Sequence, residues 1–575
     1  MKEFIIKRGD KIFEPSQYQK DILQFAHEGV GNGFINACAG ASKTTILENI
    51  IYQVPSSKKK LFIAFNKSIV EEMNNRIDSS VENLNIVTYH SLGYSILKEN
   101  FRNNNFIVNV EKYSTYLRNN ILTLSSYGEI NSIGSSYTQY LRNIILLIDY
   151  SRYYHASNLI AIKNVAEKYG LNILRDECII TKKMLDWGRN NINEIDFTDM
   201  VWLVNELNLT TKKHLYDIIL VDEAQDTSVM QQNMTEICKK RGCRVFAVGD
   251  TNQAINVWCG ADTEAVEKFK GDNVKVFTLP ISYRCPKRVV EMAKKYSDNI
   301  VASENAIDGE IRYNVPLSMP DNNDMVLCRN TAPLIEYYLT LLRYNKKCYI
   351  KGSEDIYNIL YSLITSTNAT KIDEECNYSD GLFPKLYEML SNNISKLISC
   401  GYTEEDATMH KSSLDIYDNI CAIRVLSENL STTEELLNKL AIIFKDESNE
   451  GIMLSTIHKA KGLESDNIFI LSPSLLPNKY AKKEWEKLSE QHLIYVAYTR
   501  AKKTLNFMVE ETHNHRNNSQ IDFKKIKKEL NNAKTLINSV SFVDTLSEKT
   551  KFGIVKQTLK NNKAKKPGLT INNIF

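Results

Sequence analysis

Between the apolar pair Phe34-Ile35 and the helically spaced Ile46, Leu47 and Ile50 stands one run, Ala37-Cys38-Ala39-Gly40-Ala41-Ser42-Lys43-Thr44, with Thr45 after it. An apolar strand, a turn of small residues, Lys-Thr and a helix start restrict the fold to an α/β layer. They also form the setting of a phosphate-binding loop. Loop and helix-start N–H groups would face an anion, and the helix dipole favours its charge. Lys43 would reach the β- and γ-phosphates and the Thr44 hydroxyl would ligate Mg²⁺. The bland alternative is an ordinary strand-to-helix turn, and the partners downstream decide between them.

Gln19 lies on a helix expected over 13–29, ahead of the loop; an amide can both donate to and accept from the edge of adenine. The strand LFIAF delivers Phe65 and Lys67, and NIVTY delivers Thr88 and His90. In an open parallel sheet the C-terminal strand edge is where ligands bind. Phe65 could stack a base there, and the other three could touch phosphate or sugar. The strand Leu215–Val221 ends in Asp222-Glu223, where one carboxylate can hold Mg²⁺ and the next can polarise an attacking water. CRVFAVGD is a further buried strand, followed by Gln253, placed to sense a γ-phosphate, and by Trp258, a platform for stacking a base.

At 575 residues the chain is too long for one core. Net charge is only +3, so nucleic-acid binding has to rest on local patches. Eleven cysteines include no C-x-x-C, which suggests neither a zinc site nor a disulfide framework. No apolar run approaches a signal peptide or a membrane span, so the expected place is a reducing one, cytoplasm with its nucleoid or nucleus.

The ordered motifs resemble those of superfamily 1 helicases of the UvrD/Rep group. Leu279-Pro280-Ile281-Ser282-Tyr283-Arg284 resembles the fourth motif, Thr456 to Glu464 the fifth, and Tyr495 to Lys502 the sixth. The family's usual loop has Gly where this chain has Ser42; a non-Gly residue at positive φ there would cost about 1 kcal/mol. The resemblance implies two RecA-like parallel-sheet motor domains, each interrupted by a mainly helical insertion, with ATP and Mg²⁺ between them. The implied boundaries are 1–91 and 191–279 for the first motor domain and 280–351 and 450–515 for the second. The insertions are 92–190 and 352–449, and 516–575 is a basic tail.

Ala37 to Thr45, Gln19, Tyr283 and Glu464 would bind nucleotide. Lys43, Glu223, Gln253, Arg284 and Arg500 would be catalytic, and Thr44 and Asp222 would hold the metal. Phe65, Lys67, Thr88, His90, Trp258, Thr456 and His458 would grip single-stranded DNA. The implied activity is 3′ to 5′ translocation on single-stranded DNA and unwinding of tailed duplexes by a monomer. Rival readings are a DNA-binding scaffold with a decayed loop, an RNA-directed helicase and the motor subunit of a nuclease complex. The tail carries seven lysines and no acidic residue from Lys549 onward, a solvated arm or a non-specific hold on phosphates. Its end, Ile571 to Phe575, loosely resembles peptides that dock on sliding clamps.

Overall fold

The computed structural model describes residues 4–9, 11–28, 30–102, 105–124, 136–169, 171, 175–255, 269, 274–373, 380–399, 402–444, 450–479, 481, 484–509 and 526–531. They divide into two compact units.

The larger unit holds two six-stranded sheets. In the first, β1 (Asn32–Ala37), β2 (Lys60–Ala64), β3 (Leu84–Thr88), β4 (Tyr216–Val221), β5 (Lys239–Gly249) and β6 (Val274–Leu279) lie in the order β6-β1-β5-β4-β2-β3. Every neighbouring pair is parallel. Strands covered on both faces need unbroken apolar runs, and Leu61 to Ala64 and Ile219 to Val221 supply them, all buried. The second sheet contains β7 (Glu310–Val315), β8 (Met325–Cys328), β9 (Cys348–Ile350), β10 (Ile452–Thr456), β11 (Ser465–Ile470) and β12 (Ala501–Met508). Their order is β7-β12-β11-β8-β10-β9, again all parallel. Every strand of the first sheet therefore ends on one edge, and the segments 38–44, 65–67, 89–90, 222–226, 250–253 and 280–284 all leave from it.

Between β3 and β4 the chain makes the helices Lys112–Leu124, Ser136–Tyr153, Leu159–Tyr169 and Arg175–Asn190. A buried polar knot ties two of them to the next helix, Phe197–Glu206. Arg152 Nη1 lies 2.8 Å from both Asp196 and Asp199, while Lys112 Nζ is 2.6 Å and Tyr113 Oη 2.8 Å from Asp199. Asp196 and Asp199 also close the capping box of that helix. Removing one partner from such a knot would strand a buried charge, which is why it fixes the helix start. Gly93, on the helix Tyr89–Asn100, is needed for its close approach to Phe197–Glu206: a Cβ there would stand 2.0 Å from the Met200 carbonyl oxygen.

The smaller unit is helical, with Ser353–Ser366, Leu382–Ser399, Glu404–Thr408, Lys411–Ser427 and Thr433–Phe444. Residues 526–531, assigned by sequence to the tail, are helical and belong to this unit, with Ile526 and Leu530 buried. There Glu529 accepts from the Tyr387 hydroxyl at 2.7 Å and the Tyr417 hydroxyl at 3.2 Å. The rest of 516–575, including Ile571 to Phe575, lies outside the described residues. Among the described residues no helix is long and apolar enough to cross a membrane.

Candidate nucleotide site and strand track

The loop after β1 takes the shape its composition requires. Gly40 and Ser42 both adopt positive φ, 76° and 63°. Gly40 has a second reason to lack a side chain, since a Cβ would stand 2.7 Å from Arg284 Cβ and from Ser282 Oγ. Ser42, in the left-handed region, bears the strain of about 1 kcal/mol expected from its chirality. The helix Lys43–Gln53 starts there.

The loop faces the segment after β4. Thr44 Oγ1 donates to Asp222 Oδ2 at 2.8 Å, and Lys43 Nζ lies 3.1 Å from Glu223 Oε2. From Glu223 an unbroken polar path crosses the cleft. Gln225 Nε2 donates to Glu223, and Gln225 Oε1 accepts from the Asp250 N–H at 3.0 Å. Gln253 Nε2 donates to Asp250 Oδ2 at 2.6 Å, and Arg500 Nη2 reaches Gln253 Oε1 at 3.4 Å. Arg500 comes from the other sheet and is 1% exposed. It stands at the N-terminal edge of β12, beside the start of β11 (the Ser465 N–H donates to its carbonyl at 3.2 Å), and Glu464 precedes that same start. So the first sheet offers its C-terminal edge and the second the starts of β11 and β12.

Burial governs the electrostatics. It pushes Asp222 up to about 7, with the Glu223 charge adding to the effect. For Glu223 burial also acts upward, but Lys43 and Lys461 outweigh it and hold the carboxyl well below its usual range. Lys43 would be lowered by burial, yet Glu223, Asp250 and Asp222 raise it. Arg500 is lowered to about 10 by burial and by repulsion from Arg284, and remains charged at neutral pH.

Arg284 pairs with Glu464 through Nε, and Lys502 lies 2.8 Å from the same carboxylate. Tyr283 is 50% exposed, open to a flat ligand. Cys38, Ala39 and Ala41 are buried in the loop, and Cys38 Sγ contacts the Pro280 carbonyl at 3.1 Å. Thr45 turns away from the loop, its hydroxyl accepting from Arg76 Nη2 at 3.2 Å. Gln19 is buried, and its oxygen accepts from the Ser16 N–H at 3.0 Å.

Lys461 and Tyr495 stand inside the stretches that resemble the fifth and sixth motifs, where the sequence assigns them no role, and both reach across the cleft. Lys461 pairs with Asp226 and donates to the Gln253 carbonyl at 2.6 Å. The Ala39 N–H donates to the Tyr495 hydroxyl at 3.0 Å, both groups buried. Tyr495→Phe keeps the ring and leaves that N–H without its acceptor. The expected cost is about 1–3 kcal/mol, read as an earlier midpoint in urea unfolding. An unchanged midpoint would show that the bond contributes nothing.

Of the residues expected to grip a strand, Phe65 follows β2 with 47% of its surface exposed. Thr88 caps the helix Tyr89–Asn100, its hydroxyl accepting from the Ser91 N–H at 3.2 Å. His90 is exposed and meets Phe197 edge-on at 6.3 Å between ring centres. Phe197, 54% exposed, was not singled out in the sequence; its signal was the aromatic first residue of an acidic capping box. Lys67 points outward, 3.6 Å from Glu71. Thr456 ends β10 and His458 lies in the turn after it, both half-buried. Trp258 lies outside the described residues.

A Lys-Thr loop, a carboxylate pair at a strand end and a buried arginine from a second parallel sheet define a two-sheet P-loop nucleoside-triphosphatase. Residues 18–273 match the UvrD/REP helicase N-terminal domain, and residues 451–508 match the UvrD-like helicase C-terminal domain. The chain belongs to the UvrD/Rep family of DNA helicases. It is 25% identical over 593 residues to a probable DNA helicase II homolog of Mycoplasma genitalium, covering 83% of this chain and 82% of the relative. It is 22% identical over 627 residues to the ATP-dependent DNA helicase Rep of Buchnera aphidicola subsp. Schizaphis graminum, covering 85% and 92%. For the DNA helicase II of Rickettsia typhi the match is 27% over 286 residues, 46% of this chain and 42% of that protein.

Proposed function

We propose that this helicase is an ATP-driven translocase that moves 3′ to 5′ on single-stranded DNA and separates tailed duplexes in replication, repair or recombination. The observation that carries the proposal is the polar path from Lys43 through Glu223, Gln225, Asp250 and Gln253 to Arg500, which joins two sheets at one pocket. The name of the Buchnera relative supports ATP as the fuel, and the 3′ to 5′ direction is what the family resemblance implies.

Thr44 Oγ1 and Asp222 Oδ2, two oxygens on adjacent loops, suit a hard divalent cation such as Mg²⁺. Bound there, it would neutralise phosphate charge. Lys43 and the N–H groups of the loop would hold the phosphates. As Lys43 turns to them it would release Glu223, whose carboxylate then takes a proton from the attacking water. Gln253 would orient that water and report its position to Arg500. Arg500 and Arg284 would stabilise charge spreading over the phosphoryl oxygens. Tyr283 would stack on the base, Glu464 would bind ribose, and Gln19 would donate its amide N–H to adenine.

Phe65, His90, Phe197, Thr88, Thr456 and His458 would hold the strand, and rotation of the sheets about the 280–284 crossing would shift their hold. Strand displacement on 3′- and 5′-tailed duplexes, in DNA and in RNA, tests the reading. Unwinding is expected only with ATP, on the 3′-tailed DNA; equal activity on 5′ tails, or none on either, would overturn it.

A further inference from the structure

The edge of the first sheet opposite the nucleotide carries a second concentration of charge. The strand order β5-β4-β2 brings three separate basic runs side by side: Lys58-Lys59-Lys60, Lys212-Lys213 and Lys239-Lys240-Arg241. Neighbouring strands lie only about 4.8 Å apart, and the contacts confirm the gathering. Lys59 donates to the Lys213 carbonyl, and its Nζ lies 4.8 Å from the Tyr216 ring centre. The Lys59 N–H and Lys240 Nζ both bond Asp217 Oδ2, at 2.8 and 2.9 Å. Between the pairs Tyr216↔Lys239 and Ile218↔Arg244, four residues of β5 face the single residue Asp217. That bulge is turned at Gly242 with φ 79° and leaves Arg241 exposed, while Lys240 folds back onto Asp217. Glu99 pins the 211–213 turn by accepting from the Lys212 and Lys213 N–H groups at 2.9 and 3.2 Å. Lys58, Lys212, Lys213 and Arg241 are all exposed, and none has an ion pair among the described residues.

We infer that this face is a second DNA-binding surface, one that holds the phosphate backbone of the duplex arm while the single strand runs along the opposite edge. Two features select that occupant. The cations are presented by strand starts and a pinned turn, a fixed array suited to a stiff, regularly charged rod. No large exposed apolar side chain lies within residues 54–60, 209–217 or 237–245, so the face lacks the anchors that a protein interface needs. The same lack removes the stacking platforms that bind single strands. The inference rests on the chain being a DNA helicase, and its test separates the two.

Lys212→Gln, Lys213→Gln and Arg241→Gln are combined in the full-length protein, and binding is titrated against salt for a 3′-tailed duplex and for the tail oligonucleotide alone. The triple variant is expected to bind the tailed duplex at least about tenfold more weakly near 0.1 M salt, with a log–log salt slope shallower by about 3. Its affinity for the tail alone and its single-strand-stimulated ATP hydrolysis should stay at the parent's values. Unchanged duplex affinity and slope would overturn the surface, as would an equal loss on the tail alone. Competition by an acidic polypeptide with duplex binding intact would also overturn it, making the face a protein contact. A parent that binds neither DNA would count against the helicase reading instead.

Discussion

Glu223→Gln is expected to lower DNA-stimulated ATP hydrolysis by about 10²–10⁴-fold, the usual contribution of a positioned general base, while leaving nucleotide and single-strand binding in place. The geometry makes the two halves of that expectation separable. In the present arrangement Glu223 is held by Lys43 and Gln225, so the amide removes an anion from beside the ammonium that is to receive phosphate. Affinity for ATP should therefore be retained or tighten. Steady-state turnover with and without single-stranded DNA, next to equilibrium binding of a fluorescent ATP analogue, measures both. Turnover within a few-fold of the parent would remove Glu223 from the base role and leave the pocket without a hydrolytic group.

Arg500→Ala should lower kcat by about 10³-fold, the lower end of what an arginine finger contributes, with nucleotide affinity within a few-fold. Arg500 is almost wholly buried, reaches Gln253 from the other sheet, and donates to the carbonyls of Val496 and Leu463 at 2.9 and 3.2 Å. It is positioned before any ligand arrives. Arg284, by contrast, is engaged with Glu464 and must change partner to act. Arg284→Ala is therefore expected to show a smaller loss than Arg500→Ala. Arg500→Lys keeps the charge and loses the planar fork, so its kcat should stay near that of the alanine variant. An unchanged kcat in Arg500→Ala would refute the finger.

Much of the pocket was legible in the sequence because its pieces are locally coded. Small residues before Lys43-Thr44 and an acidic pair straight after an apolar strand are patterns within ten residues. Ser42's positive φ could be foreseen from the missing glycine, and φ 63° is what the chain adopts. What could not be read depends on which strand lies beside which. Tyr495 and Lys461 stand in motif-like stretches, but nothing local names their partners until the second sheet brings them to Ala39 and Asp226. Phe197 gains a partner only because the buried knot around Asp199 sets its helix next to His90. Thr45 follows the loop in sequence, and the helical turn rotates its hydroxyl to Arg76, a contact that no local pattern announces. The basic face on the far edge is three unremarkable runs until the order β5-β4-β2 assembles them.

The crossing between the sheets has one more implication. The Cys38 N–H donates to the Leu279 carbonyl, and the Tyr283 N–H donates to the Gly40 carbonyl, each at 3.0 Å. The stretch that would flex, were the halves to rotate as proposed, is thus laced, backbone to backbone, to the loop proposed to hold the triphosphate. On the proposed reading, pivot and trigger would share one ribbon, and bending at residues 280–283 would itself reshape the grip on the fuel.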